Sequence, residues 1–246
     1  MTVLIDKSEN NVEKAKLLLK RGKSYPSIKT TELYNDALLA LELAKSIKEV
    51  TIQIDVYNLL SGIAFRKDDY QQAIDFDLLA LSLSENENHI FGIINAYKNI
   101  NRSQKALGKL KESVSNAEKA KQIAVVNNLK NEYANINNNL GVAYRNNNQF
   151  QESLLALNDG ILQTKNKKLL ALLHMNKANT LTELMRLDKA VDSHLTSLTI
   201  NEELKYEKGK QQVYNNIGNL FKKAKQLIRP YFICKKYYNL IISLNN

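Results

Sequence analysis

Four asparagines recur along the chain at intervals of 40, 37 and 40 residues: Asn99, Asn139, Asn176 and Asn216. A carboxamide carries two N–H donors and an acceptor oxygen. It can bond both the N–H and the C=O of an extended peptide, whatever that peptide's sequence. Asparagine is also a poor helix former, worse than alanine by about 0.6 kcal/mol, so a row of them on one helical face needs a reason. Other polar side chains share that face: Asn95, Lys98 and Arg102 around Asn99; Asn135, Asn138 and Arg145 around Asn139; Asn179 after Asn176; Asn215, Asn219 and Lys222 around Asn216. The cations favour acidic side chains or a terminal carboxylate, which arginine can hold with two parallel bonds. The competing reading is a merely polar, solvated face in a chain rich in Lys, Asn and Ile. Leu59 interrupts the row in the preceding segment.

Other chemistry is sparse. His89 falls in a turn after acidic residues, and His174 and His194 fall at packing positions on different helices without a ligand partner at metal-binding spacing. The single cysteine, Cys234, allows neither an internal disulfide nor a cysteine-based zinc site, and it sits at a helix-packing position. No glycine-rich phosphate loop, nucleophile elbow or His-Glu-x-x-His motif occurs. The expectation is a non-enzymatic protein with no cofactor and no metal.

The elements that carry the asparagines are legible from the repeat. The 246 residues include only 8 Gly and 2 Pro, too few for the tight turns of a large sheet protein. Small residues recur at Ala37, Ala73, Ser113, Ser153 and Ala190, with Pro230 as the exception, at spacings of 36, 40, 40, 37 and 40. Three residues earlier stands a large apolar side chain (Tyr34, Tyr70, Leu110, Phe150, Leu187, Leu227). Seven later stands a small one (Ala44, Ala80, Ala120, Gly160, Ser197), and twelve earlier Ser61, Asn101, Gly141, Ala178 and Gly218. Closely crossing helices need small residues at the contact and large ones beside it. A lone hairpin cannot bury its apolar face, but stacked neighbours can. The pattern predicts an all-α stack of about six antiparallel hairpins. A degenerate cap occupies residues 1–48, with a break at Pro26. Five repeats follow in 49–246, near 50–85, 87–126, 129–164, 167–203 and 206–243.

"NNLGVAYRNNNQFQESLLAL" and "YNNIGNLF" resemble the tetratricopeptide repeat (TPR) family over roughly residues 30–243, in the longer variant of about 40 residues seen in bacterial signalling proteins. Asn101 departs from the usual glycine, and the family's aromatic is kept only as Tyr57, Tyr97 and Tyr214. The resemblance implies a right-handed superhelical solenoid whose first helices line a concave groove. It also implies a peptide-clamping role for Asn99, Asn139, Asn176 and Asn216.

The function expected is a scaffold for protein–protein interaction. It would bind an extended, acidic peptide or protein tail in bacterial signalling or regulation. The alternative is a regulatory fragment of a histidine kinase-like sensor or a peptide-responsive, quorum-sensing-like regulator. The formal charge of +10 favours acidic partners by long-range steering, and nucleic acid is disfavoured because the cations are dispersed. A C-terminal helix bearing Tyr231, Phe232, Tyr237 and Tyr238 could support self-association. No run of apolar residues is long enough to span a membrane, and the start lacks a signal-peptide core. A cytoplasmic location is expected, although a removed signal or anchor would leave no trace.

Overall fold

The computed structural model describes residues 11–24 and 30–227. The break expected at Pro26, the exceptional anchor Pro230, the aromatic end of the chain and Cys234 lie outside them. Eleven helices follow one another without a strand among the described residues: α1 (Asn11–Ser24), α2 (Thr30–Ser46), α3 (Val50–Arg66), α4 (Tyr70–Asn86), α5 (Ile90–Ala106), α6 (Leu110–Val126), α7 (Lys130–Asn146), α8 (Phe150–Gln163), α9 (Lys167–Glu183), α10 (Leu187–Glu203) and α11 (Glu207–Leu227). The all-α stack of antiparallel hairpins read from the sequence is the architecture observed.

The turns set the period. Lys48, Asp68, Asn88, Gly108, Asn128, Asn148, Met185 and Lys205 all have positive φ, between 51° and 72°. Each sits two residues past a helix end. There the next residue's N–H bonds back five residues, as Asp69 does to Ala64 (3.0 Å) and Tyr206 to Asn201 (2.9 Å). This left-handed closure satisfies carbonyls that a helix end leaves unpaired, and glycine, asparagine and aspartate enter it most cheaply. Asp69 then caps the next helix by accepting from the Gln72 N–H at 3.1 Å.

Helices of 17 residues and turns of three give the 40-residue repeat; α8 has 14 residues, which accounts for the spacing of 37. The turns also correct one register. Lys48 precedes Asn88, the equivalent turn after the next second helix, by 40 residues, so Ala40 corresponds to Ala80, as the matching runs 38–41 and 78–81 (Leu-Leu-Ala-Leu) show. The spacing of 36 read for the first hairpin is one helical turn off.

The chain forms two compact units, 1–123 and 124–246. In the first, α1/α2 and α3/α4 are hairpins, and α3 and α5 neighbour each other directly; in the second, α7/α8 and α9/α10 are hairpins, with α9 between α7 and α11. The first helices pack side by side, whereas α8 and α10 do not approach as closely. Within each unit the first helices therefore form the inner, more crowded layer.

The small residues do what packing requires. Ala73, Ser113, Ser153, Ala190, Ala80, Ala120 and Ser197 are inaccessible to solvent. A Cβ on Gly141 would lie 2.5 Å from Leu157 Cγ, so only glycine permits that crossing. Asn101, the departure from the glycine pattern, is accommodated by its partner. Its Nδ2 donates to the carbonyl oxygen (2.6 Å) and Oγ (2.8 Å) of Ser113 across the hairpin.

Candidate functional site

In the unit spanning 1–123, α5 presents Asn95, Lys98, Asn99 and Arg102 on its inner side. Asn95 and Arg102 are exposed, and Lys98 and Asn99 are half-buried. Asn99 Nδ2 reaches two partners in the preceding hairpin, Asn58 Oδ1 on α3 (3.4 Å) and Asp77 Oδ1 on α4 (3.3 Å). It thus ties one first helix to both helices of its neighbour.

Asp77 is inaccessible to solvent, and its Oδ2 has no hydrogen-bond partner. Burial pushes its carboxyl up to about 7, against the opposing pull of the Ser61 hydroxyl, the Asn99 carboxamide and the Arg102 guanidinium. The Arg102 guanidinium carbon lies 4.0 Å from the centre of the Phe65 ring, a cation–π contact. Desolvation lowers its pKa, while Asp77 acts the other way and Arg66 adds to the lowering.

In the unit spanning 124–246, three first helices contribute. Asn176 Nδ2 on α9 donates to Asn138 Oδ1 on α7 at 2.8 Å, and both residues are buried. The register is the one that joins Asn99 to Asn58: an asparagine of one repeat bonds the residue one step earlier on the previous first helix. Asn135 turns back to the Asn131 carbonyl oxygen (3.2 Å). Asn139, Asn179 and Asn216 are half-buried, while Asn215, Asn219 and Lys222 are exposed.

Below these, Lys223 Nζ pairs with Glu183 Oε2 at 2.6 Å. Burial lowers the pKa of Arg145 on α7, and Glu183 opposes it. The sequence-selected asparagines differ in what they meet: Asn95 is exposed, and Asn135 bonds only within its own helix. Asn99, Asn138 and Asn176 are engaged with neighbouring helices. Asn139, Asn179, Asn215, Asn216 and Asn219 carry accessible amides on an inner layer.

The sequence reading missed Asp77, Asn58 and Phe65. A signal existed for Asp77: four residues after the small anchor, the other second helices carry Ala117, Leu157 and His194, and a carboxylate is out of place there. His194 is itself fully buried with both ring nitrogens unpaired, and burial lowers its pKa to about 4. His174 is half-buried, and His89 is exposed ahead of α5. Among the described residues, no group of three His, Cys, Asp or Glu could hold a metal ion, and no helix is long and apolar enough to cross a membrane.

Hairpins of this length, closed by left-handed turns and stacked through small residues with first helices inward, define a TPR-like helical repeat fold. No protein-family model and no curated protein matches the sequence. Solved structures do match. One is a Rap protein complexed with competence and sporulation factor, at 17% identity and TM-score 0.64, covering 90% of this chain and 68% of that one. Another is aspartyl phosphate phosphatase F from Bacillus subtilis, at 14% identity and TM-score 0.65, covering 91% and 62%. A third is NprR in complex with its cognate peptide NprX, at 17% identity and TM-score 0.58, covering 99% and 85%. At such identities the likeness establishes the shared repeat fold.

Proposed function

We propose that this chain is a non-enzymatic, cytoplasmic scaffold of bacterial signalling or regulation that binds an extended, acidic peptide or protein tail along its inner helices. The observation that carries the reading is the set of accessible amides on adjacent first helices: Asn139 on α7, Asn179 on α9, and Asn215, Asn216 and Asn219 on α11. Each can satisfy a peptide N–H and C=O together. The charge supports an acidic partner, because residues 124–246 hold 17 Lys and Arg against 9 Asp and Glu, +8 of the formal +10.

A second reading shares this groove. The chain would be the sensing part of a peptide-responsive or histidine kinase-like regulator. The structural likeness to a Rap protein and to NprR, both solved with a peptide or factor bound, favours it. Self-association through the C-terminal segment remains a separate proposal, independent of the groove.

A random hexapeptide library offered to the immobilised full chain tests the main reading. Asn139→Ala with Asn216→Ala removes two amides; at about 1 kcal/mol each, binding falls roughly thirtyfold. Both side chains are at least partly accessible, so the melting temperature should hardly move. Unchanged retention of the library by the double variant would show that the amides are ordinary surface.

A further inference from the structure

A cavity of about 240 Å³ opens between α9, α10 and α11, within the unit 124–246. Leu172 and Met175 of α9 and Gln212 of α11 line it; Leu172 and Gln212 are exposed, and each stands one helical turn before an inner-face asparagine, Asn176 and Asn216. Lys168 and Tyr206 stand at one rim, with Lys168 Nζ 4.1 Å from the centre of the Tyr206 ring. Gly209 lets Asn201 and Tyr206 pack close beside the cavity wall, because a Cβ there would overlap the Asn201 carboxamide and the Tyr206 ring. Asn201, also in the wall, is fixed by the bond its Nδ2 donates to the Ser197 carbonyl oxygen at 2.9 Å.

The size and charge of this cavity select an occupant. An apolar cavity of about 150 Å³ holds a benzene molecule, and sites for whole drug-sized ligands start at about 300 Å³. The space therefore suits one large apolar side chain. The nearby acids are already matched: Glu203 pairs with Lys167 at 2.9 Å and Glu207 with Lys210 at 2.8 Å. Among the described residues Lys168 has no ion-pair partner; its ammonium meets only the Tyr206 ring.

We propose that this cavity is the specificity pocket of the inner face. It takes a leucine-, methionine- or phenylalanine-sized side chain of an extended peptide, while an acidic side chain adjacent in that peptide meets Lys168. The inference rests on the peptide-groove reading and adds which peptides are chosen.

The probe is a hexapeptide library acetylated at its N-termini and amidated at its C-termini, so that side chains supply every carboxylate. Peptides retained by the full chain are sequenced by mass spectrometry. Wild type should enrich apolar–acidic neighbours at least fivefold over the input. Leu172→Asp, at an exposed position, should abolish the apolar preference. Lys168→Glu should abolish only the acidic one. Retention that depends on Asn139 and Asn216, but with composition unchanged by Leu172→Asp and Lys168→Glu, overturns the pocket and leaves the groove standing. Enrichment only in a library with free C-termini also overturns it, because the carboxylate recognised would then be terminal. No retention of any peptide sinks both.

Discussion

Replacing Asp77 with asparagine should make the protein more stable at pH 8 and leave it nearly unchanged at pH 4. The carboxyl is buried and its pKa is raised from 3.8 to about 7, chiefly by desolvation. Below pH 4 both folded and unfolded chains hold the proton, and the group costs nothing. As pH rises, the unfolded chain ionises first, so stability falls until the folded carboxyl also ionises near pH 7; above that the loss is constant. A shift of about three units at 1.36 kcal/mol each gives about 4 kcal/mol.

An asparagine at this position keeps an oxygen for the Asn99 amide, 3.3 Å away in wild type, and carries no charge to desolvate. The assay is urea denaturation of wild type and Asp77→Asn at pH 4, 6 and 8, with hydrogen exchange of α3 to α5 as a local readout. The gain from Asp77→Asn should grow from near zero to about 4 kcal/mol across that range. A gain independent of pH, or a loss at pH 8, would refute the assignment of a burdened buried carboxylate.

His194→Leu should act with the opposite pH sense. Burial lowers the imidazole pKa from 6.5 to about 4, so wild type loses stability as pH falls from 6.5 to 4, by about 3 kcal/mol. The leucine variant, which copies Leu157 at the same register, should show no such loss in thermal melts over that range. Met185→Gly should raise stability by about 0.5–1 kcal/mol, because a side chain at φ 58° is strained while glycine is not. Gly108→Ala, at φ 72°, is the converse and should cost about as much; both are read from denaturation midpoints.

The fold was legible because the hairpin signal is redundant. Small residues at Gly141 and Ser153, the large Phe150 between them and the polar turn at 147–149 all specify one crossing. The first hairpin misled because Ala37 and Ala44 are as buried as Ala40, leaving three small residues a turn apart. Only the left-handed turn at Lys48 fixes which of them matches Ala80. The inner row was legible by spacing, since 40-, 37- and 40-residue steps return to one face. What spacing could not give is each amide's partner. Asn99 and Asn139 share a register, yet the engagement of Asn99 depends on Asn58 and Asp77, which lie in a preceding hairpin. The cavity was invisible for a similar reason: spacing along one helix cannot show a space whose walls come from α9, α10 and α11 together.

Among the described residues, three of the uses of asparagine bear on the proposed groove, and only one of them offers amides to a partner. Asn88, Asn128 and Asn148 close turns at positive φ. Asn58 with Asn99, and Asn138 with Asn176, bridge adjacent first helices. Asn139, Asn179 and Asn216 remain partly accessible on the inner layer. The bridges matter to the last group. Packed helix axes lie about 8–10 Å apart, and an extended peptide advances about 3.3 Å per residue, so equivalent amides on neighbouring helices meet every third peptide residue. That match holds only while the helix spacing is fixed. A bridge between Asn138 and Asn176, buried one row from Asn139, fixes it before any peptide arrives. The ordering cost is then met in folding and not at binding. Under the proposed peptide-groove reading, an asparagine that touches no ligand thus still sets the affinity of those that do.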